Sequence, residues 1–235
     1  MTAIDASGLN KAHTKLFDLA FADFRKLVIP LAELPANQVR EAMLAGFPVL
    51  VEKYGDVAAA AAAEFYQDAR AAAIGGSFDA VLAVAGDPEE LQKLVLWATR
   101  DLPEAGVPEA AQSKLSGILQ QRVIDRSRET VLLNAKRDPL KPRWARVPRG
   151  AKTCAFCMML ASRGFEYVSR SSAGMRFHAH CDCVVVPGWG EKPKGLGYRP
   201  EKLKKIYDAS AVSGDLKATL SNMRRDFPDL VSDAS

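Results

Sequence analysis

TCAFCMMLASRGFEYVSRSSAGMRFHAHCDCVV, residues 153–185, holds all four cysteines of the chain, Cys154, Cys157, Cys181 and Cys183, and two of its three histidines, His178 and His180. Cys154-Ala-Phe-Cys157 is a C-x2-C pair, the spacing that turns two sulfurs toward one centre and forms half of many structural zinc sites. The second half is His178-Ala-His180-Cys181-Asp182-Cys183. If that stretch is extended, Cys181 and Cys183 share a side, because side chains alternate along a strand. Tetrahedral zinc takes four ligands, and six candidates are present. The expected shell is four thiolates, or three thiolates and one imidazole, with spare histidines outside it. Such an ion would tie two separated turns together across a polar, Ser- and Gly-containing loop.

Other chemistries read less well. A thioredoxin-like C-x2-C needs a preceding βαβ pattern, which is absent. A zinc deaminase needs H-x-E ahead of P-C-x-x-C, and here the order is reversed with no such glutamate. A Cys/His nucleophilic site lacks an obvious orienting group. Disulfides would require the folded protein to end up in an oxidising setting. The segment offers more protein ligands than zinc can use, so the site reads as structural, with no catalytic residue assigned.

Working outward, the first 137 residues read as helices. Phe17, Phe21, Phe24, Val28 and Leu31 mark one side of a helix. A second is expected from about residue 38 with Val39, Met43 and Phe47, kinked or ended by Pro48. A third covers the alanine block and stops at Gly75-Gly76. GDPEELQKLVLWATRDLP carries an N-cap at Asp87, a first-turn Pro88 and a capping-box Glu90. A longer helix follows Pro108 with a stripe of Leu115, Leu119 and Val123, and with Arg122, Arg126 and Arg128 on its other side. The stripes are read as core packing. His13 is expected at the surface.

The fold expected is mainly α: a helical N-terminal region followed by a small α+β C-terminal module stabilised by zinc. Its parts are residues 1–137 as a helical domain, 138–152 as a basic, Pro-rich linker or arm, 153–190 as the Cys/His module, and 191–235 as a C-terminal loop with short helices. VVVPGW reads as a short strand, PEKLKKIYDAS and GDLKATLSNMRRDF as helices, and PDLVSDAS as a fraying end. Phe156, Phe165, Tyr167, Phe177 and Trp189 are expected as a small core around the metal.

The net charge of +4 is unevenly spread, with 15 Lys/Arg against 18 Asp/Glu in residues 1–137 and 17 against 10 in residues 138–235. The basic excess begins at LKPRWARVPRGAK, where Lys141, Arg143, Arg146, Arg149 and Lys152 stand without an acid. Such a run is a candidate contact for phosphates or an acidic protein surface. No apolar run approaches the ~20 residues that span a bilayer. The N-terminal stretch has no basic head followed by an apolar run, so no signal peptide and no membrane partner are expected.

The phrase RVPRGAKTCAFCMMLASRGFEYVSRS…FHAHCDCVVVPGW resembles the phage Mu F-like minor head proteins, also called head morphogenesis proteins, in the versions carried by tailed phages of actinobacteria. Cys154 and Cys157 match that family's first pair, His178 its histidine, and Cys181 and Cys183 its C-x-C. His180 departs from the usual filler and becomes a rival ligand. The resemblance covers about residues 146–189; the helical half fits only loosely. It implies a minor structural and assembly component of the virion head, in the head interior or at the portal vertex, assembled in the host cytoplasm. The implied partners are portal or capsid proteins and packaged DNA, with no small-molecule substrate. Larger relatives carry a fused protease or toxin-like extension, and no such activity is carried over here. Two alternatives remain open at this point: a capsid-maturation hydrolase using a Cys/His pair, and a zinc-ribbon nucleic-acid binder.

Overall fold

The computed structural model describes residues 6–149, 152–168, 183–190 and 197–232. Helix α1 runs Ser7–Val28 and, after a 3-10 turn at Ile29–Leu31, helix α2 runs Ala36–Ile74. Helix α3 is Pro88–Ala98 and α4 is Glu109–Arg137. Strand β1 (Arg143–Val147), strand β2 (Thr153–Cys154), helix α5 (Ala155–Ala161) and strand β3 (Val184–Gly188) follow. Helices α6 (Pro200–Ser210) and α7 (Leu216–Asp226) and strand β4 (Val231–Ser232) complete the described chain. The chain is mostly helical with a little sheet, as the patterning predicted. No helix among the described residues is long and apolar enough to cross a membrane.

The long helices α2 and α4 pack along each other and divide the interior into two apolar clusters. One joins α1 and α3 to their near halves through Phe17, Phe24, Met43, Phe47, Leu115 and Leu119. The aromatic stripe of α1 sits here, with Phe24 set edge-on to Phe47. At Gly46 a β-carbon would stand 2.7 Å from Leu27 Cδ1, so the bare backbone lets α1 and α2 approach. The second cluster joins Tyr66 of α2 and Val131 of α4 to Trp144 of β1, Leu160 of α5 and Val184–Val186 of β3. The helical half and the C-terminal elements therefore share this core.

Several boundaries differ from the sequence reading. α2 continues through Pro48, where two helices were expected. The missing amide costs one hydrogen bond, and burial of Met43, Phe47 and Tyr54 on either side of it holds the helix together. Asp87 caps α3 as expected, accepting the Glu89 N–H at 2.9 Å, but Glu90 turns away to pair with Arg122 at 3.2 Å instead of closing a box. The tail does not simply fray: Val231 is buried and β4 pairs parallel with β2, Thr153 beside Val231 and Cys154 beside Ser232.

The basic stretch of 138–152 contains β1, which pairs antiparallel with β3 from Arg143 opposite Gly188 to Val147 opposite Val184. Trp144, Ala145, Arg146 and Val147 are all buried. Three prolines had hidden a five-residue strand whose partner lies far along the chain, a pairing that local sequence cannot reveal.

Asp138, at the end of α4, is a fully buried hub. Its Oδ2 accepts from Arg70 Nε (2.9 Å), Tyr66 Oη (3.1 Å) and Trp189 Nε1 (3.0 Å), and its Oδ1 accepts the Leu140 N–H (2.9 Å). It thus ties α2 to the end of α4 and to the residue just after β3.

His13 is enclosed rather than at the surface, with no hydrogen-bond partner among the described residues for either ring nitrogen. Burial, together with the guanidinium groups of Arg149 and Arg128, lowers its pKa from 6.5 to about 3. Between those values the unfolded chain takes up a proton that the native chain refuses. Its contribution is therefore complete above pH 6.5 and is lost as the pH falls toward 3, by about 1.4 kcal/mol per pH unit. Urea titrations at pH 7 and pH 5 are expected to show the wild type losing about 2 kcal/mol more than His13→Phe. Equal losses would mean that His13 is not held neutral.

Candidate metal centre

Three of the four cysteines meet. Cys154 ends β2 and caps α5, its Sγ accepting the Cys157 N–H at 3.2 Å. Cys157 lies in the first turn of α5, and Cys183 leads into β3. All three are buried in one cluster flanked by Phe156. Cys157 Sγ and Cys183 Sγ are 3.5 Å apart. That is too far for a disulfide, whose sulfurs stand about 2.0 Å apart. It is near the ~3.8 Å edge of a sulfur tetrahedron drawn around zinc at about 2.3 Å. The donor chemistry thus suits a soft divalent ion.

Among the described residues no group of three or more His, Cys, Asp or Glu closes to metal-holding geometry. The other expected ligands, His178, His180 and Cys181, lie outside the described residues, as does Phe177.

The elements that aim the thiols are spread over the chain. β4 holds β2, and so holds Cys154. β1 holds β3 and the residue before it, Cys183. Tyr198 places its hydroxyl between the carbonyls of Arg146 (2.7 Å) and Ala161 (2.8 Å), joining β1 to the end of α5. Tyr167 donates to the Leu160 carbonyl at 2.7 Å and stacks on Trp144. Phe165, Tyr167 and Trp189 are indeed buried, but in the core shared with α2 and α4 rather than around the thiols.

Arg128 is the residue that sequence reasoning missed. Placed on the far side of α4 from the apolar stripe, it is fully enclosed. Its Nε donates to the Cys183 carbonyl at 2.8 Å, one terminal nitrogen lies 3.5 Å from Cys183 Sγ, and the other pairs with Asp125 at 2.9 Å. Burial pushes the Asp125 pKa up, against the pull of Arg128. A guanidinium beside a sulfur favours the thiolate that a metal needs. No local pattern on α4 marks this arginine, because its partner lies 55 residues away.

The five expected contact cations separate. Lys141, Arg143 and Lys152 are exposed. Arg143 meets Glu166 at 3.3 Å, and Lys152 caps the Pro228 carbonyl at 2.8 Å. Arg149 is half-buried, donates to the Asn10 carbonyl at 3.1 Å and to Thr14, and lies over the Phe17 ring. Arg146 is enclosed, so it belongs to the interior and not to an outward arm.

Residues 1–210 match the family described as VG15 protein. The chain belongs to the VG15 protein family. It is 32% identical over 156 residues to the Gene 15 protein of Mycobacterium phage D29, an alignment that covers 52% of this chain and 57% of that protein. It is 30% identical over 131 residues to the Gene 15 protein of Mycobacterium phage L5, covering 38% of this chain and 45% of that one. The chain spans about half the length of the curated relatives it matches. No solved structure matches it. This member of the VG15 family is thus a bacteriophage-type protein.

Proposed function

We propose that this VG15-family chain is a minor structural and assembly component of a tailed-phage head, of the Mu F-like kind, working near the portal and without turnover. We further propose that a structural zinc ion is held by Cys154, Cys157 and Cys183 with a fourth ligand from Cys181, His178 or His180. The observation that carries the metal reading is the approach of Cys157 and Cys183 to 3.5 Å, buried and too far apart for a disulfide with each other, from segments 26 residues apart. Phage relatives support the setting. Burial of the thiols favours a structural role, since a nucleophile must be reachable.

Elemental analysis of reduced, freshly purified protein tests the metal, with about one zinc per chain expected for a single closed site. Protein without zinc would remove the metal reading. Mass spectrometry of purified virions tests the setting, and absence of the chain from heads would remove that reading.

The exposed cations Arg143 and Lys152 are the proposed contacts to DNA or to an acidic portal or capsid face. Arg143→Glu with Lys152→Glu is expected to lower incorporation into heads while changing stability by no more than about 0.5 kcal/mol. Normal incorporation would return both residues to the role of a solvated surface.

A further inference from the structure

Arg128 is among the largest side chains fully enclosed in the fold. A buried guanidinium is costly unless its charge and its donors are answered. Its neighbours answer it on two sides. Asp125, three residues earlier on α4, takes one terminal nitrogen at 2.9 Å, an i, i+3 pair that fixes the direction of the side chain. On the other side stand the carbonyl and the sulfur of Cys183, 2.8 Å from Nε and 3.5 Å from the second terminal nitrogen. The fork grips one residue twice and is itself held from behind.

Cys183 is the thiol in need of such a grip. Cys154 and Cys157 are placed by adjacent structure, the end of β2 and the first turn of α5, with the Cys154 sulfur accepting the Cys157 N–H at 3.2 Å. Cys183 meets them from 26 residues beyond Cys157. The ladder of β1 and β3 ends with Val147 opposite Val184, so Cys183 lies one residue past its last pair. The donor that fixes both its carbonyl and its sulfur comes from α4.

Charge points the same way. Three thiolates with an imidazole, or four thiolates, outweigh the double charge of zinc, so a loaded centre is net negative. In the interior that excess is expensive without a nearby cation. The Arg128 side chain has no exposed surface, whereas Asp125 keeps 19% of its side chain exposed. Water therefore screens the carboxylate more than it screens the sulfur, and part of the guanidinium charge remains for the centre.

We propose that Arg128 is a positioning residue of the metal centre. It holds Cys183 in place for the ion and offsets the negative charge of the loaded site. Helix α4 of the N-terminal half thus completes a centre whose proposed ligands all lie in the C-terminal half. The inference rests on the zinc reading and adds to it that metal affinity is set in part from α4.

Cobalt(II) in place of zinc gives the site a spectrum, and competition with a chromophoric chelator gives the affinity for either ion. The wild-type chain is compared with Arg128→Gln, which keeps a donor without the charge, and Arg128→Lys, which keeps the charge without the fork. Arg128→Gln is expected to weaken zinc binding by about 10- to 100-fold, the usual cost of losing an outer partner of a ligand, with Arg128→Lys in between. The sulfur-to-cobalt charge-transfer band of Arg128→Gln is expected at longer wavelength than in the wild type, because a cation beside a thiolate lowers the energy of its electrons. Lysine should restore part of that shift. A role in folding alone would leave the band where it is. A measurement on the wild type alone covers the case in which the variants fail to fold: the Arg128 side-chain N–H resonances are expected to move on zinc loading and to return on chelation. A wild type that binds neither ion would overturn the zinc reading and this inference with it. A wild type that binds metal, beside variants matching its affinity and its band, would overturn this inference alone. So would a lysine variant no better than glutamine, or Arg128 resonances unmoved by the ion.

Discussion

Asp138→Ala is expected to destabilise the fold by about 3–5 kcal/mol, the range for removing one partner of a buried, hydrogen-bonded ion pair. The carboxylate is fully enclosed and accepts from Arg70, Tyr66, Trp189 and the Leu140 N–H. Alanine would leave the Tyr66 hydroxyl and the Trp189 indole N–H buried without an acceptor, and Arg70 largely so. For a chain of this size a loss of that order lowers Tm by on the order of 10 °C. Burial alone would raise the Asp138 pKa, but the Leu140 amide, the Trp189 indole and Arg70 outweigh it and hold the value below the ordinary 3.8. The stability from ionised Asp138 is thus present above pH 3.8 and is lost as the pH falls through its lower native value. Thermal melts of Asp138→Ala and Asp138→Asn at neutral pH check the point, with the asparagine variant falling between alanine and wild type. An alanine variant within about 1 kcal/mol of wild type would show that the hub is dispensable.

On the proposed zinc reading, Cys183→Ser is expected to abolish zinc binding and lower stability by about 4 kcal/mol under conditions where free zinc stands a thousandfold above its dissociation constant. Chelation of the wild type should produce a drop of the same size, and chelation of the variant should add little to it. This pairing separates loss of the ion from loss of the side chain. The disturbance should not stay within the C-terminal elements, because the Cys183 carbonyl is held by Arg128 of α4 and β3 packs into the core shared with α2 and α4. Near-UV dichroism should therefore report a change around Trp144 and Trp189, with most of the helical signal kept. A variant that retains full metal and the wild-type Tm would exclude Cys183 as a ligand.

Much of this molecule was legible along the chain. The aromatic stripe of α1, the cap at Asp87, the start of α4 after Pro108, the helices α6 and α7 and the strand beginning at Val184 all obey local periodicity or local capping chemistry. The clustering of thiols in residues 153–185 pointed to one site, and Cys154, Cys157 and Cys183 do come together. Pro48 misled because a proline penalty is local, whereas the burial that outweighs it comes from neighbours on other helices.

The remainder was decided by tertiary structure. Arg128, Arg146, Asp138 and His13 are polar in sequence and enclosed in the fold. Whether a charge lies in water or in the interior depends on partners many residues away, such as Cys183 for Arg128 and Tyr66 for Asp138. The segment at 77–86 has no regular pattern of its own and is held by Asn134 and Thr130 across more than forty residues of chain. The sequence by itself determined which stretches would coil and which residues had the chemistry to bind a metal, because both follow from short-range spacing. Only the tertiary structure decided which charges are buried and how the segment between α2 and α3 is held, because both depend on contacts between distant parts of the chain.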